Sequence, residues 1–202
     1  MSRSIIITVI CGILFGYFVV SGHFAEAYMV ISEKVLIVGL CVLMLSVGLD
    51  IGMQGTVVAN FKKVGWRILV IPFAAIAGTL AACAAAALFL PLSFRESMAV
   101  GAGFGWYSLA PLILIRYSSQ ISALSFIHNI LRELFGIILI PAVAKKIGYV
   151  EACAVPGAAA MDVCLPIVEK ETNADIAVYS FVTGVIMSIA VPVLVPLIAG
   201  IL

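Results

Sequence analysis

The chain has 202 residues, 64% of them hydrophobic and 10% charged, with a formal net charge of +1 and a mean hydropathy of +1.28. A soluble domain is about half apolar and a quarter charged, so the composition excludes one. The basic residues lie between apolar segments rather than in a stripe, which argues against a nucleic-acid surface.

The apolar runs are long enough for bilayer-crossing helices, which need roughly 20 residues each, and no ten-residue alternation suggests a β-barrel. The expected class is an all-α polytopic membrane protein forming a single membrane-embedded domain over residues 1–202. Cys11, Cys41, Cys83, Cys153 and Cys164 are scattered singly through apolar segments with no CxxC, which speaks against a disulfide framework or a zinc site. Ala25-Glu26-Ala27 resembles a signal cleavage site, but the apolar run before it exceeds the roughly 7–15 residues of a signal core, and further membrane segments follow directly.

In chain order, the first segment covers about 4–21 and carries the GxxxG pair Gly12 and Gly16, a packing signal for another helix. The second covers about 34–53 and sets Asp50 between Gly48 and Gly52 near a membrane boundary, where a capping or boundary role comes first. The connection after it holds Lys62, Lys63 and Arg67, the densest basic cluster, which the positive-inside rule assigns to the cytoplasm. The third segment, about 68–90, is rich in alanine with Gly78 and Thr79 and is expected to lie inside the bundle.

Next comes the run Gly101 to Pro111, in which Gly103, Gly105, Trp106, Tyr107 and Ser108 interrupt a hydrophobic stretch of about 97–116. Backbone that leaves helical geometry at membrane depth is tolerated only where protein buries it or a wet cavity lines it. The fifth segment, about 121–144, carries His128, Asn129, Arg132 and Glu133 in mid-run. Ionisable groups there cost about 2.5 kcal/mol or more each, so they normally pair or face a cavity. A second broken segment, about 152–168, contains Pro156, Gly157, Met161, Asp162 and Pro166. A pair of such short, Gly/Pro-broken segments is a sequence pointer to a transporter site. A last apolar segment runs from about 176 to 202.

Counting crossings sharpens the topology. If every segment crossed once, Lys62/Lys63/Arg67 and Lys145/Lys146 would lie on opposite sides, whereas both are expected inside. The conflict disappears if the first broken segment is a re-entrant hairpin dipping in from outside and the second dips in from the cytoplasm, an inverted-repeat arrangement suited to alternating access. Full-length discontinuous crossing helices are the alternative.

The stretches GFGWYSLAP (Gly103 to Pro111), NILRELFGI (Asn129 to Ile137) and GAAAMDVCLPIV (Gly157 to Val168) together resemble the signatures of the lysine exporter family of the LysO type. The resemblance implies an inner-membrane, multi-pass exporter of L-lysine and its analogue thialysine, driven by proton exchange and needing no cofactor. Longer family members carry additional N-terminal hydrophobic segments, so the resemblance further implies a small membrane subunit as partner; a homo-oligomer is also open.

A substrate with two ammonium groups and a carboxylate demands an answer to each charge in a low-dielectric site. Glu133 and Asp162 are the expected partners of the ammonium groups and carriers of the exchanged proton, since a desolvated carboxylate tends to hold one. Arg132, or free backbone N–H groups in the broken segments, could receive the carboxylate. Asn129, Gly103, Gly105, Ser108 and Met161 complete the expected site, and Trp106 and Tyr107 could wall it or form an interfacial belt. The plainer alternative is that Arg132 and Glu133 balance other buried charges, with Asp162 a natural partner for Arg132. His128 could relay protons or simply pack. With no nucleophile–base pair or metal-ligand cluster, the chain is not read as an enzyme. The competing functions are transport of another small ion or metabolite and a non-transporting membrane subunit.

Overall fold

The computed structural model describes residues 2–19, the individual positions 34, 35, 38, 42, 45, 49 and 53, and residues 68–201. They belong to two compact units, Met1–Met53 and Gln54–Leu202. Asp50 and the basic residues Lys62, Lys63 and Arg67 lie outside the described residues.

In the first unit, α1 (Ser2–Val19) is an uninterrupted apolar helix, and Gly12 and Gly16 have open space where a side chain would stand. The individual positions described between 34 and 53 are helical.

The second unit is helical throughout its regular elements. Helix α2 (Val70–Ala86) is followed by α3 (Phe94–Gly101), which starts at a reciprocal cap: Ser93 Oγ accepts from the Glu96 N–H, and the Glu96 carboxylate accepts from the Ser93 N–H at 2.8 Å. The Ser93 hydroxyl also donates to the Glu96 carboxylate at 2.7 Å, and that bond first, with the Ser93 N–H second, holds the Glu96 carboxyl below its ordinary range. The cap therefore contributes above that range and is lost as pH falls through the lowered value. After a break comes α4 (Leu109–Leu114).

Helix α5 (Ser119–Lys146) begins at the Ser118 cap and ends with Lys145 and Lys146, which suit the negative end of its dipole. Its 28 residues span about 42 Å, more than the roughly 30 Å hydrocarbon layer. Next come α6 (Tyr149–Ala152), a 3₁₀ helix (Gly157–Met161) and α7 (Leu165–Glu171), started by Pro166. Helix α8 (Ala174–Ala199) is capped by Asn173 and closed by Gly200 in the left-handed conformation. Helices α5 and α8 are long and apolar enough to cross a membrane, and they expose large side chains such as Phe126, Phe135, Phe181 and Ile189, as lipid-facing helices do.

Both broken segments fold back on themselves. In the first, Ser97 Oγ donates to the Cys83 carbonyl at 2.6 Å, so α3 runs down α2 from its C-terminal end. Arg95 lies against Gly200, and Leu112, Ile113 and Arg116 line a cavity of about 240 Å³ with Pro196 and Ile201. Entry and exit of this segment thus gather at the C-terminal end of α8. In the second, the Cys153 thiol approaches the Ile176 carbonyl at 3.6 Å, and Glu171 pairs with Lys145 at 3.7 Å. Its two ends gather at the opposite pole, where α5 stops and α8 starts.

The cores follow the same division. Val100, Phe104, Leu114, Ile121, Met187, Val191 and Val195 pack the first hairpin. Ile140, Cys153, Cys164 and Val168 pack the second. Opposite halves of α5 and α8 thus serve opposite hairpins, which is the inverted-repeat character expected. Among the described residues of its unit, helix α2 buries only Pro72, so the interior place expected for it is not seen there. Its small side chains leave much of its outer face uncovered.

A labelling experiment checks this topology. Single cysteines at Arg95 and Arg116 are expected to react with an impermeant maleimide from one side of the membrane, and those at Lys146 and Lys170 from the other. Reaction of the Arg95 and Arg116 positions from opposite sides would mean that the first segment crosses.

Candidate functional site

The hairpin tips meet halfway along α5 and α8. After α3 the chain makes tight turns, with the Phe104 N–H on the Gly101 carbonyl at 3.1 Å and the Trp106 N–H on the Gly103 carbonyl at 2.7 Å. This requires positive φ at Phe104 (46°) and Gly105 (98°). Glycine takes such a conformation freely; a buried phenylalanine does so at a cost of order 1–3 kcal/mol and only when its surroundings hold it there. What holds it is the other tip: the Phe104 carbonyl accepts from the Ala158 N–H at 2.8 Å. Gly157, also at positive φ (71°), lies so close that a Cβ would enter the Phe104 carbonyl oxygen.

Helix α5 secures the first tip. Asn129 is fully buried; its Oδ1 accepts from the Gly105 N–H at 2.7 Å and its Nδ2 donates to the Ser125 carbonyl at 2.8 Å. Every polar atom of its amide is therefore used, as burial demands. Gly103 lies under the same amide with no room for a side chain. About two turns further along α5, Gly136 gives passage to Pro156 of the second tip, whose Cα would lie 3.2 Å from an added Cβ.

Helix α8 secures the second tip by a device that the sequence reading missed. Ser180 Oγ donates to the Ala160 carbonyl at 2.8 Å, Gly184 leaves space for Met161 and Ala158, and Ser188 Oγ approaches Met161 Sδ at 3.8 Å. The signal is present as small residues spaced i, i+4 and i+8, a stripe that lets another backbone approach closely.

The ionisable residues surround the junction without neutralising one another. Arg132 Nη1 donates to Thr79 Oγ1 of α2 at 3.1 Å, and its guanidinium carbon stands 6.0 Å from the Phe104 ring centroid. Among the described residues it forms no ion pair, so the expected pairing with Asp162 is not found. Asp162 instead ends the 3₁₀ helix, its Oδ1 accepting from the Val163 N–H at 2.6 Å.

Glu133 and Asp162 lie within electrostatic reach of each other, and both reach Tyr107 and Cys164. Tyr107 is half-exposed and meets the Phe126 ring edge-on at 6.4 Å. His128 is half-buried beside Asn129. Trp106 packs against the first hydrophobic core, and Ser108 is exposed and makes no cap bond to α4. The junction thus brings together Gly103, Gly105, Tyr107, Asn129, Arg132, Glu133, Met161 and Asp162, while Trp106 and Ser108 turn aside and Asp50 lies outside the described residues.

Chemically this is a junction of two backbone breaks flanked by a cation on one side and two carboxylates on the other, inside a helical membrane protein.

No solved structure matches the chain. It is 33% identical over 110 residues to the lysine exporter LysO of Escherichia coli K12, covering 54% of this chain and 36% of that protein. It is 28% identical over 109 residues to a Haemophilus influenzae protein provisionally named a lysine exporter, covering 54% of this chain and 55% of that one. The chain therefore matches only about a third to a half of the length of these relatives. The family described as lysine exporter LysO matches residues 6–199, nearly the whole chain, and to that family of membrane proteins this chain belongs.

Proposed function

We propose that this chain is the transporting core of a secondary exporter that moves L-lysine, and its analogue thialysine, out of the cell across the inner membrane in exchange for protons. The observation that carries this reading is the meeting of two opposed hairpin tips, Phe104 carbonyl to Ala158 N–H at 2.8 Å, beside opposite charges kept apart. A site at such a junction can be closed from one side by one hairpin and from the other by its counterpart, as alternating access requires.

In this reading Glu133 and Asp162 receive the substrate's ammonium groups and carry the exchanged proton. A dry site demands such partners for two ammonium groups. The pole with Lys145 and Lys146 faces the cytoplasm. The uncovered face of α2 suits a further membrane segment, supplied by a small partner subunit, and the names of the relatives support lysine as substrate.

Cells loaded with a lysine-containing dipeptide test the proposal. Those expressing this chain, with or without a co-encoded small membrane protein, are expected to excrete lysine faster than cells lacking it and to tolerate thialysine. Unchanged excretion and tolerance in both settings would sink the exporter reading. Excretion of a different metabolite would reassign the substrate.

A further inference from the structure

Arg132 rises from the middle of α5 into the junction, where its guanidinium has five N–H donors and a hydrogen bond to Thr79 Oγ1 at 3.1 Å takes one. Its side chain passes both breaks: Cβ atoms built on Gly157 and Gly105 would lie 3.0 Å from Nε and 3.8 Å from Cδ. The Phe104 ring supports one face of the group at 6.0 Å. Among the described residues no carboxylate forms an ion pair with it.

Burying a cation without a counter-charge is costly, and such a group is ordinarily paired. Among the described residues, neither carboxylate near the junction pairs with it. Glu133, the next residue, points about 100° away around the helix, and Asp162 is bound to its neighbouring Val163 N–H. The junction keeps cation and anions apart instead of letting them cancel.

A zwitterion with a cationic side chain carries the complementary set, one carboxylate and two ammonium groups. We infer that Arg132 is the receptor for the substrate's α-carboxylate, so that a free carboxylate beside the α-ammonium is obligatory and diamines or amino-acid amides of the same length are refused. Two parallel N–H···O bonds from a guanidinium to a carboxylate give this recognition both strength and direction. The assignment rests on the lysine-export reading and adds the feature by which substrate would be told from its decarboxylated or amidated analogues.

Equilibrium binding of lysine, lysinamide and cadaverine to the purified full chain, together with any small subunit that copurifies, tests it. Wild-type protein is expected to bind lysine about 10- to 100-fold more tightly than either analogue, the range of one charge-assisted hydrogen-bonded pair. In Arg132→Gln, lysine affinity is expected to fall by that same factor, while lysinamide affinity stays within about 3-fold, so that discrimination vanishes. Arg132→Lys, which keeps the charge but not the fork, is expected to fall between the two.

A merely structural arginine would weaken all three ligands alike, or change none of their ratios, and either result overturns the assignment. Wild-type protein that binds lysine but prefers it to neither analogue overturns the assignment while leaving lysine as substrate. Wild-type protein that binds no lysine removes the export reading and this one with it.

Discussion

Replacing Gly157 with alanine is expected to abolish lysine export and to destabilise the protein by about 2–5 kcal/mol. One contribution is local, since a residue with a Cβ pays about 1–2 kcal/mol in the left-handed region that Gly157 occupies at φ 71°. The larger one is at the junction: the new Cβ would enter the Phe104 carbonyl oxygen, which is backbone and cannot swing aside.

The tips must part, and the buried Ala158 N–H to Phe104 carbonyl bond is lost, at about 1–3 kcal/mol for the groups left unpaired. Gly78→Ala is the control. That glycine lies in α2 with nothing within 4 Å of an added Cβ, so the substitution should be neutral or stabilising by about 0.5–1 kcal/mol through helix propensity. Thermal unfolding in detergent and export from loaded cells read both variants. Wild-type export by the Gly157 variant would show that the tips do not meet as described.

Gly157 also marks the limit of what the chain discloses before it is folded. That residues around 103–105 and 156–157 break two membrane segments is legible, because glycine and proline act on local backbone geometry and their effect needs no partner. The hairpin form is suggested as well, because a turn-back would put both basic clusters on one side, although discontinuous crossing helices remain the other reading of the same residues. What the residue types cannot disclose is which backbone group of one tip meets which of the other. The Phe104–Ala158 bond joins two main chains 54 positions apart, and no side chain announces it.

The partner of Arg132 escaped for a related reason. Asp162 is the chemically obvious choice, but the choice made is Thr79, on a helix whose placement beside α5 follows from packing and not from charge. The polar stripe of α8 is a different case. Ser180, Gly184 and Ser188 are spaced on one face, yet in a helix so uniformly apolar small residues are easily passed over as neutral filling. Their meaning depends on what they let in, here the 3₁₀ helix from Gly157 to Met161.

Glu133→Gln should reduce export at least about 100-fold, the loss expected when a desolvated charge loses its counter-charge at about 3–5 kcal/mol, while the protein still inserts. The two acids at the junction are not equivalent. Asp162 already accepts from the Val163 N–H at 2.6 Å, so part of its capacity is committed to ending the 3₁₀ helix, and Asp162→Asn would disturb structure and chemistry together. The Glu133 side chain forms no hydrogen bond or ion pair among the described residues, so among them its capacity is uncommitted. Glutamine keeps its volume and hydrogen-bonding oxygen but can neither ionise nor carry a proton.

If Glu133 only filled space, the variant would export as well as wild type, and that result would end its proposed role in substrate binding and proton exchange. Glu133→Asp separates charge from reach. It preserves ionisation but withdraws the carboxylate by one methylene, so partial export is expected, between wild type and the glutamine variant. Membrane abundance measured alongside distinguishes lost transport from lost protein. Because the Glu133 side chain forms no hydrogen bond or ion pair among the described residues, its replacement should leave the thermal midpoint nearly unmoved, in contrast to Gly157→Ala, where transport and stability fall together.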